Sequence, residues 1–432
     1  MALALDIMFS QKLTKLTIAS NALANYKNSI SDFNLYFPMI THEVDESIRK
    51  SYKGGFTWLN PIYKEKDLKR DIIVLDSNSM HPSHMMNDYM PIGEPLYFEG
   101  KYEKDPLYPL YIQRLSCSFK LKEGKIPCIQ LKHTPGYMPN EYIESSNGKI
   151  ITMTLTSVDL ELFYMQYDVS DEKFWDGFKF KQLAGLFSNY INYWITKKIE
   201  AKKEDNKALY TITKLMLNSL YGRFGLGTKV RSKYPTIEDD KIKYKLYPEE
   251  IRNGVYVPVA SFITAYSRRD IILTSQAIRD YSLKTYGEDY LIYNDTDSLH
   301  IFRMSDEELS KIIKMDEYKL GYYKRESEAI RAIYIRQKCY IEEMFITEEA
   351  YLKLDPDKQK GWEKKKHNGR IIYTKLNTTI AGLPKTLGKY INVENFKRGF
   401  SVKASEEDKE HKLAFKHVKG GVLLVDTDFT IK

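Results

Sequence analysis

Leu291-Ile292-Tyr293-Asn294-Asp295-Thr296-Asp297-Ser298-Leu299-His300-Ile301-Phe302 sets two apolar runs around a turn that carries two aspartates. The Asn, Asp, Thr and Ser between those runs predict a β-hairpin with acidic side chains at its tip. Two carboxylates one residue apart repel each other unless a cation lies between them. Magnesium ions satisfy such a pair with a few carboxylate oxygens and leave their other positions to substrate phosphates. A solvated turn accounts for the same residues, because Asp, Asn and Ser are ordinary turn formers. A third carboxylate and a phosphate-binding element elsewhere in the chain would decide between the two.

Candidates for both are present. Asp71-Ile72-Ile73-Val74-Leu75-Asp76 reads as a buried strand that ends on an acid. A helix is expected over Ser83 to Tyr89, with Pro82 in its first turn. Such a strand-to-helix step puts Asp76 beside free backbone N–H groups, a favourable place for anions and their counter-ions. Asp76 as a plain strand terminator is the other reading. From Ala208 to Leu220, the residues Leu209, Ile212, Leu215, Met216 and Leu220 recur at helical spacing. Lys214, Asn218 and Tyr221 share one face of that helix, and Gly222 is expected to end it. An ammonium, an amide and a phenol in a row suit phosphate, sugar and base, although a charged helix face is ordinarily just solvated.

Composition narrows the class. A chain of 432 residues exceeds one hydrophobic core, so several subdomains are expected. Its 43% hydrophobic and 29% charged residues are those of a globular protein. No apolar run approaches the roughly 20 residues of a transmembrane helix, so no membrane is expected. The Met1–Phe9 segment contains Asp6 and has no basic start, which argues against a secretory signal. Cys117, Cys128 and Cys339 form neither a zinc pattern nor a disulfide framework, in keeping with a reducing cytoplasm. The net charge of +8 and 34 tyrosines suit a nucleic-acid groove, where lysines neutralise phosphates and rings stack on bases.

Asp76-x-x-Ser79-x-x-Pro82, Lys214-x-x-x-Asn218-Ser219-x-Tyr221-Gly222 and Tyr293-x-Asp295-Thr296-Asp297-Ser298 resemble, in order and approximate spacing, motifs A, B and C of family B DNA polymerases. More narrowly, the chain is similar to the protein-primed, phi29-type polymerases of small tailed phages. Tyr52-Lys53-Gly54-Gly55-Phe56-Thr57-Trp58, Thr264-Ala265-Tyr266-Ser267-Arg268, Lys338-Cys339-Tyr340 and Gly420-Gly421-Val422-Leu423-Leu424-Val425-Asp426 extend the likeness from about Leu13 to Lys432. The resemblance implies an α+β, right-hand polymerase of palm, fingers and thumb, with two insertion subdomains and no exonuclease domain.

Roles follow from the resemblance. Asp76 and Asp297 would hold two Mg²⁺ ions, with Mn²⁺ as the alternative and the Ser77 carbonyl as a further ligand. Asp295 completes the catalytic acids in a supporting place. Lys214 and Lys198 would meet the nucleotide's phosphates, Asn218 and Tyr221 its sugar and base. Tyr52, Gly54, Gly55, Thr264, Arg268, Lys338 and Tyr340 would contact DNA, the Tyr52 motif gripping template and Lys338 with Tyr340 the primer terminus. The implied partners are template and primer DNA, deoxynucleoside triphosphates and a terminal protein as primer, for a monomer in the cytoplasm of an infected or carrying bacterial cell.

Two departures stand out. His81 occupies the place where the family carries the tyrosine that excludes ribonucleotides, so sugar discrimination is expected to be weaker. Only 75 residues precede Asp76, too few for the family's exonuclease domain. Proofreading is therefore expected to be missing from this polypeptide, the readings being a truncation, a natural exonuclease-less form, or half of a split enzyme with a separate exonuclease chain.

The expected organisation is a tail (1–15), first palm part (16–87), terminal-protein-binding insertion (88–185), fingers (186–226), second insertion or processivity hairpin (227–256), second palm part (257–384) and thumb (385–432). Leu115–Leu121 and Ile151–Leu155 read as strands in the first insertion. Gly361–His367 reads as a solvated lysine-rich loop, a DNA-facing one being the alternative. A catalytically silent DNA- or terminal-protein-binding factor and a polymerase that extends ordinary nucleic-acid primers are the other readings. Three clustered acids argue against the first and the 88–185 insertion against the second.

Overall fold

A computed structural model describes residues 2–131, 141–238, 241–383, 385–402, 413–418, 421–426 and 428–431; Met1, Gly420 and Lys432, named above, fall outside them. Ile72–Ser77 is buried over its four apolar residues and lies inside a nine-stranded antiparallel sheet. The sheet runs Thr57–Leu59, Leu291–Asp295, Ser298–Phe302, Ile72–Ser77, Tyr323–Arg336, Cys339–Thr347, Arg370–Ile380 and Glu363–His367, with Asp67–Leu68 also paired to Tyr323–Arg336. The 30-residue helix Val257–Tyr286 supplies Ile271, Ile272 and Ile278 to the sheet's core. Leu115, Phe119, Phe163 and Tyr167 join the same core. Phe163 comes from the helix Ser157–Gln166 and the other three from a second antiparallel sheet, ordered Met90–Glu99, Tyr167–Leu183, Leu110–Leu121, Ile151–Thr156, so the described residues of the 88–185 segment pack on the main sheet rather than hanging from it.

A second core is aromatic. Tyr26, on the Ile18–Ser29 helix, stacks on Phe187 at 4.6 Å and meets Phe37 and Phe224 edge-on or tilted. This cluster clamps the paired helices Ser188–Lys203 and Lys207–Phe224. A third core, with Ile335, Ile341, Leu387, Phe396 and Phe429, seats the C-terminal segment on the far strands of the main sheet. The hairpin Lys233–Glu238/Lys241–Leu246 pairs through Lys243↔Leu423 and Tyr244↔Val422 with the C-terminal strand Gly421–Asp426, joining two segments that the sequence reading kept apart.

Several sequence expectations are corrected. The helix after Asp76 runs Met80–Asn87, beginning three residues earlier than expected, behind Ser79 in a left-handed conformation. Gly222 does not end its helix, which continues to Phe224 and is closed by Gly225. An interior glycine costs about 1 kcal/mol, and full burial of Phe224 offsets it. Arg49 donates to the Gly225 and Leu226 carbonyls at 2.8 and 3.1 Å, satisfying that helix end. Leu215 is exposed rather than buried. Glu363–His367 is an edge strand, not a loop, and Lys365 reaches Glu343 at 2.7 Å, a charged edge that resists further strand pairing. The three cysteines are buried and free. Among the described residues no helix is long and apolar enough to cross a membrane.

Candidate active site

Strand register brings the acids together. Ser298 pairs with Asp295 across the hairpin and with Asp76 on its other side, so all three aspartates lie at one end of the sheet. The turn is tied down on both flanks. Thr296, with φ 65°, donates its N–H to the Phe56 carbonyl at 2.7 Å, and the Ser77 N–H donates to the Asp297 carbonyl at 2.8 Å. Gly55 lies against this turn: a Cβ there would come within 2.6 Å of Thr296 Cγ2. The β-branched threonine has little freedom to yield. Gly55→Ala is therefore expected to displace the turn and slow any chemistry at the acids by about ten- to a hundredfold, since a shift near 1 Å costs up to about 10² in rate. Steady-state rates beside an unchanged unfolding temperature would check this.

The carboxylates differ in their partners. Asp76 Oδ2 accepts from Lys324 Nζ at 3.1 Å, and Lys338 Nζ sits 2.5 Å from Asp295 Oδ1. Thr57, Thr296 and Tyr293 hydroxyls also lie within 3.5 Å of the Asp295 oxygens. Asp297 has no ion-pair partner among the described residues. Burial, then the charges of Asp76, Asp295 and Glu326, push its carboxyl up to about 6. A half-buried acid among acids, with hard oxygen donors around it, fits a divalent cation. Among the described residues, no three His, Cys, Asp or Glu side chains converge closely enough to hold a metal ion, and lysines stand on two of the three aspartates.

Opposite the acids stands the Lys207–Phe224 helix. Lys214 and Asn218 are exposed and Tyr221 half-buried, while Ile212, Met216, Leu217 and Leu220 face the core, as the spacing predicts. Tyr221 stacks face to face on His81, with centroids 4.2 Å apart and planes 5° from parallel. Burial, then the neighbouring His84 and Arg268, push His81 down to about 4, so its imidazole is neutral at physiological pH. Lys198 Nζ donates to Ser79 Oγ at 3.0 Å. Burial, then the ammonium groups of Lys324 and Lys214, push Lys198 down to about 8.

The residues expected to touch DNA divide. Lys338 and Gly54 are exposed and Tyr52 is half-buried, its ring resting where a side chain at Gly225 would be. Gly54 has open space around its missing side chain, whereas Gly55 serves the Thr296 turn. Arg268 points inward. It is 3% exposed and bonds Asp159 through Nε and Nη2 at 2.8–3.0 Å. Its Nη1 donates to the Lys53 and Gly54 carbonyls at 2.8 and 2.9 Å, so it anchors that loop from behind and has no donor facing solvent. Thr264 is also buried, its hydroxyl donating to the Ala260 and Ser261 carbonyls of its own helix. Tyr340 packs in a buried cluster with Tyr293, Tyr334 and His300. That cluster steadies Tyr293, whose hydroxyl accepts from the Lys338 N–H at 2.9 Å.

Two site residues escape the sequence reading. Lys324 stands opposite Asp76 on the adjoining strand. Glu326 follows within a register shift between Arg325 and Ser327, the kind of bulge that re-aims a side chain. Partial burial of its carboxyl, then repulsion from Asp76, raise Glu326, although the residue as a whole is exposed. No motif marks either one; only the strand pairing does.

Known proteins resemble this arrangement throughout the chain. A family model described as DNA polymerase type B, organellar and viral, matches residues 4–315. The DNA polymerase of Bacillus phage Nf is 40% identical over 438 residues, covering 100% of this chain and 70% of the relative. That of Streptococcus phage Cp-1 is 32% identical, over 98% of this chain and 68% of its own length. Among solved structures, phi29 DNA polymerase complexed with primer-template DNA and incoming nucleotide substrates aligns with a TM-score of 0.84 at 38% identity, over 99% of this chain and 70% of that one.

Proposed function

This chain belongs to the organellar and viral type B DNA polymerases, and from that membership we propose how its own residues carry out template-directed DNA synthesis of the protein-primed type. The observation behind the reading is the meeting of Asp76 and Asp297 at one sheet end with the ammonium groups of Lys198 and Lys214 in the same field. Asp76, Asp297 and the Ser77 carbonyl would hold two Mg²⁺ ions, or Mn²⁺ in their place. Bound there, such ions would supply Lewis acidity that lowers the pKa of the 3′-hydroxyl and positive charge that offsets the pyrophosphate's.

The rest is positioning and charge, which dominate phosphoryl transfer. Lys214 and Lys198 neutralise the triphosphate. The Tyr221–His81 stack walls the base and sugar, and Asn218 donates beside it. Asp295 restrains Lys338, which guides the primer terminus, and the exposed Gly54 backbone lies against template. We read 16–87 and 257–384 as palm, 186–226 as fingers and 385–432 as thumb. Backbone pairing of the 227–256 hairpin with the C-terminal strand supports a closed grip on duplex product. The 88–185 insertion would dock the terminal protein, with exposed Tyr97 and Trp175 as anchors. The cytoplasm of an infected or carrying bacterial cell is the proposed place of action.

Primed template with Mg²⁺ and deoxynucleotides tests the polymerase, full-length product being expected. Its absence would favour a silent binding factor. Transfer of labelled dAMP to a terminal protein's hydroxyl separates protein priming from extension of nucleic-acid primers alone. His81→Tyr should raise the preference for deoxynucleotides over ribonucleotides about tenfold or more, within the 1–3 kcal/mol that one group in a pocket contributes. Equal single-nucleotide incorporation ratios for parent and variant would refute that.

A further inference from the structure

We propose that Lys324 is a built-in counter-ion for Asp76, which competes with the divalent cation there and, once displaced, turns to the nucleotide's triphosphate as a third lysine. The inference rests on the metal-site reading above and goes beyond it, because no motif includes Lys324.

The contact is imposed by the backbone. Lys324 and Asp76 are directly opposite on adjacent antiparallel strands, flanked by the pairs Tyr323↔Ser77 and Arg325↔Leu75. Side chains so paired share a face at about 4.5–5.5 Å between Cβ atoms. The ammonium donates to Asp76 Oδ2 at 3.1 Å and to Asn78 Oδ1 at 3.1 Å. Asn78 is itself held, its Nδ2 donating to the Asp316 carbonyl at 2.8 Å and its N–H to the Tyr322 carbonyl at 2.9 Å. The lysine thus has a prepared parking place of one carboxylate and one amide oxygen. At 27% and 20% side-chain exposure the pair is more shielded than a surface ion pair, so salt screens it less.

A cation that takes Asp76 must displace this ammonium. The cost falls when a second anion is at hand to receive the lysine. Lys198 marks where that anion lies, because its ammonium donates to Ser79 Oγ at 3.0 Å, next in sequence to the Asn78 that holds Lys324, and Lys214 stands on the facing helix. Three ammonium groups in one field repel each other until a triphosphate joins them. Metal and nucleotide binding are therefore coupled, each strengthening the other through one side chain.

The test is Mn²⁺ binding, read by electron paramagnetic resonance without nucleotide, for the parent, Lys324→Met and Asp76→Asn. Lys324→Met should bind Mn²⁺ about tenfold more tightly at the site that Asp76→Asn removes. The same variant should raise KM for deoxynucleotide about five- to tenfold with a smaller change in kcat. Lys324→Gln, which keeps a polar tip, provides a second variant should the methionine disturb folding. Equal Mn²⁺ affinities for the parent and a folded Lys324 variant overturn the competition, and an unchanged KM overturns the hand-over. Unaltered Mn²⁺ binding in Asp76→Asn would instead sink the underlying metal-site reading.

Discussion

Asp297→Ala is expected to lower the primer-extension rate at least a thousandfold, whereas Asp295→Ala should lower it about ten- to a hundredfold. The two acids are neighbours in one turn, but the structure gives them different work. Asp297 is a half-buried carboxylate whose environment holds three other acids and no protein cation at ion-pair distance among the described residues. Charge stabilisation lost with such a group amounts to several kcal/mol, and each 1.36 kcal/mol is tenfold in rate. Asp295 already has a cation, Lys338, so its loss should appear chiefly as weaker hold on the primer, a higher KM for DNA.

A second readout separates the metal role from a structural one. Removing a half-buried charge from among like charges should raise the metal-free unfolding temperature of Asp297→Ala above that of the parent, a common exchange of stability for activity. Adding Mg²⁺ should then stabilise the parent and leave the variant nearly unmoved. Comparable rate losses for the two substitutions, or equal stabilisation by Mg²⁺, would overturn this division of labour.

The acids were legible because each is announced locally. An apolar run ends on Asp76, and alternation with turn-forming residues marks Asp295 and Asp297. Helical spacing likewise put Lys214, Asn218 and Tyr221 on one face. What stayed hidden depends on partners distant in sequence. Lys324 gains meaning only from strand register, since its own segment, Tyr322-Tyr323-Lys324-Arg325, resembles any polar strand end. Gly222 invites a helix stop that burial of Phe224 in a remote aromatic cluster overrides. Pairing of the 241–246 strand with 421–426 joins segments that no periodicity could match. Arg268 is the sharpest case, because a basic residue in a DNA-binding protein invites assignment to phosphate.

Arg268→Met is expected to destabilise the fold by about 3–5 kcal/mol, the usual cost of removing one partner from a buried ion pair. Among the described residues, Asp159 would keep a largely buried carboxylate with only Thr156 as a remaining side-chain donor, at 2.8 Å. The Lys53 and Gly54 carbonyls would lose their donor as well. Urea unfolding measures the loss, and Asp159→Leu combined with Arg268→Met should recover part of it, because an apolar pair replaces an orphaned charge. Arg268→Lys decides between anchoring and direct contact with DNA. A lysine preserves the charge that a phosphate contact needs but cannot reproduce five N–H donors in a planar fork. Anchoring therefore predicts that the lysine variant is nearly as unstable as the methionine one and binds primer-template less tightly, with an unchanged salt dependence. A stable lysine variant, or a methionine variant whose binding loses about one unit of salt slope, would return Arg268 to the DNA interface.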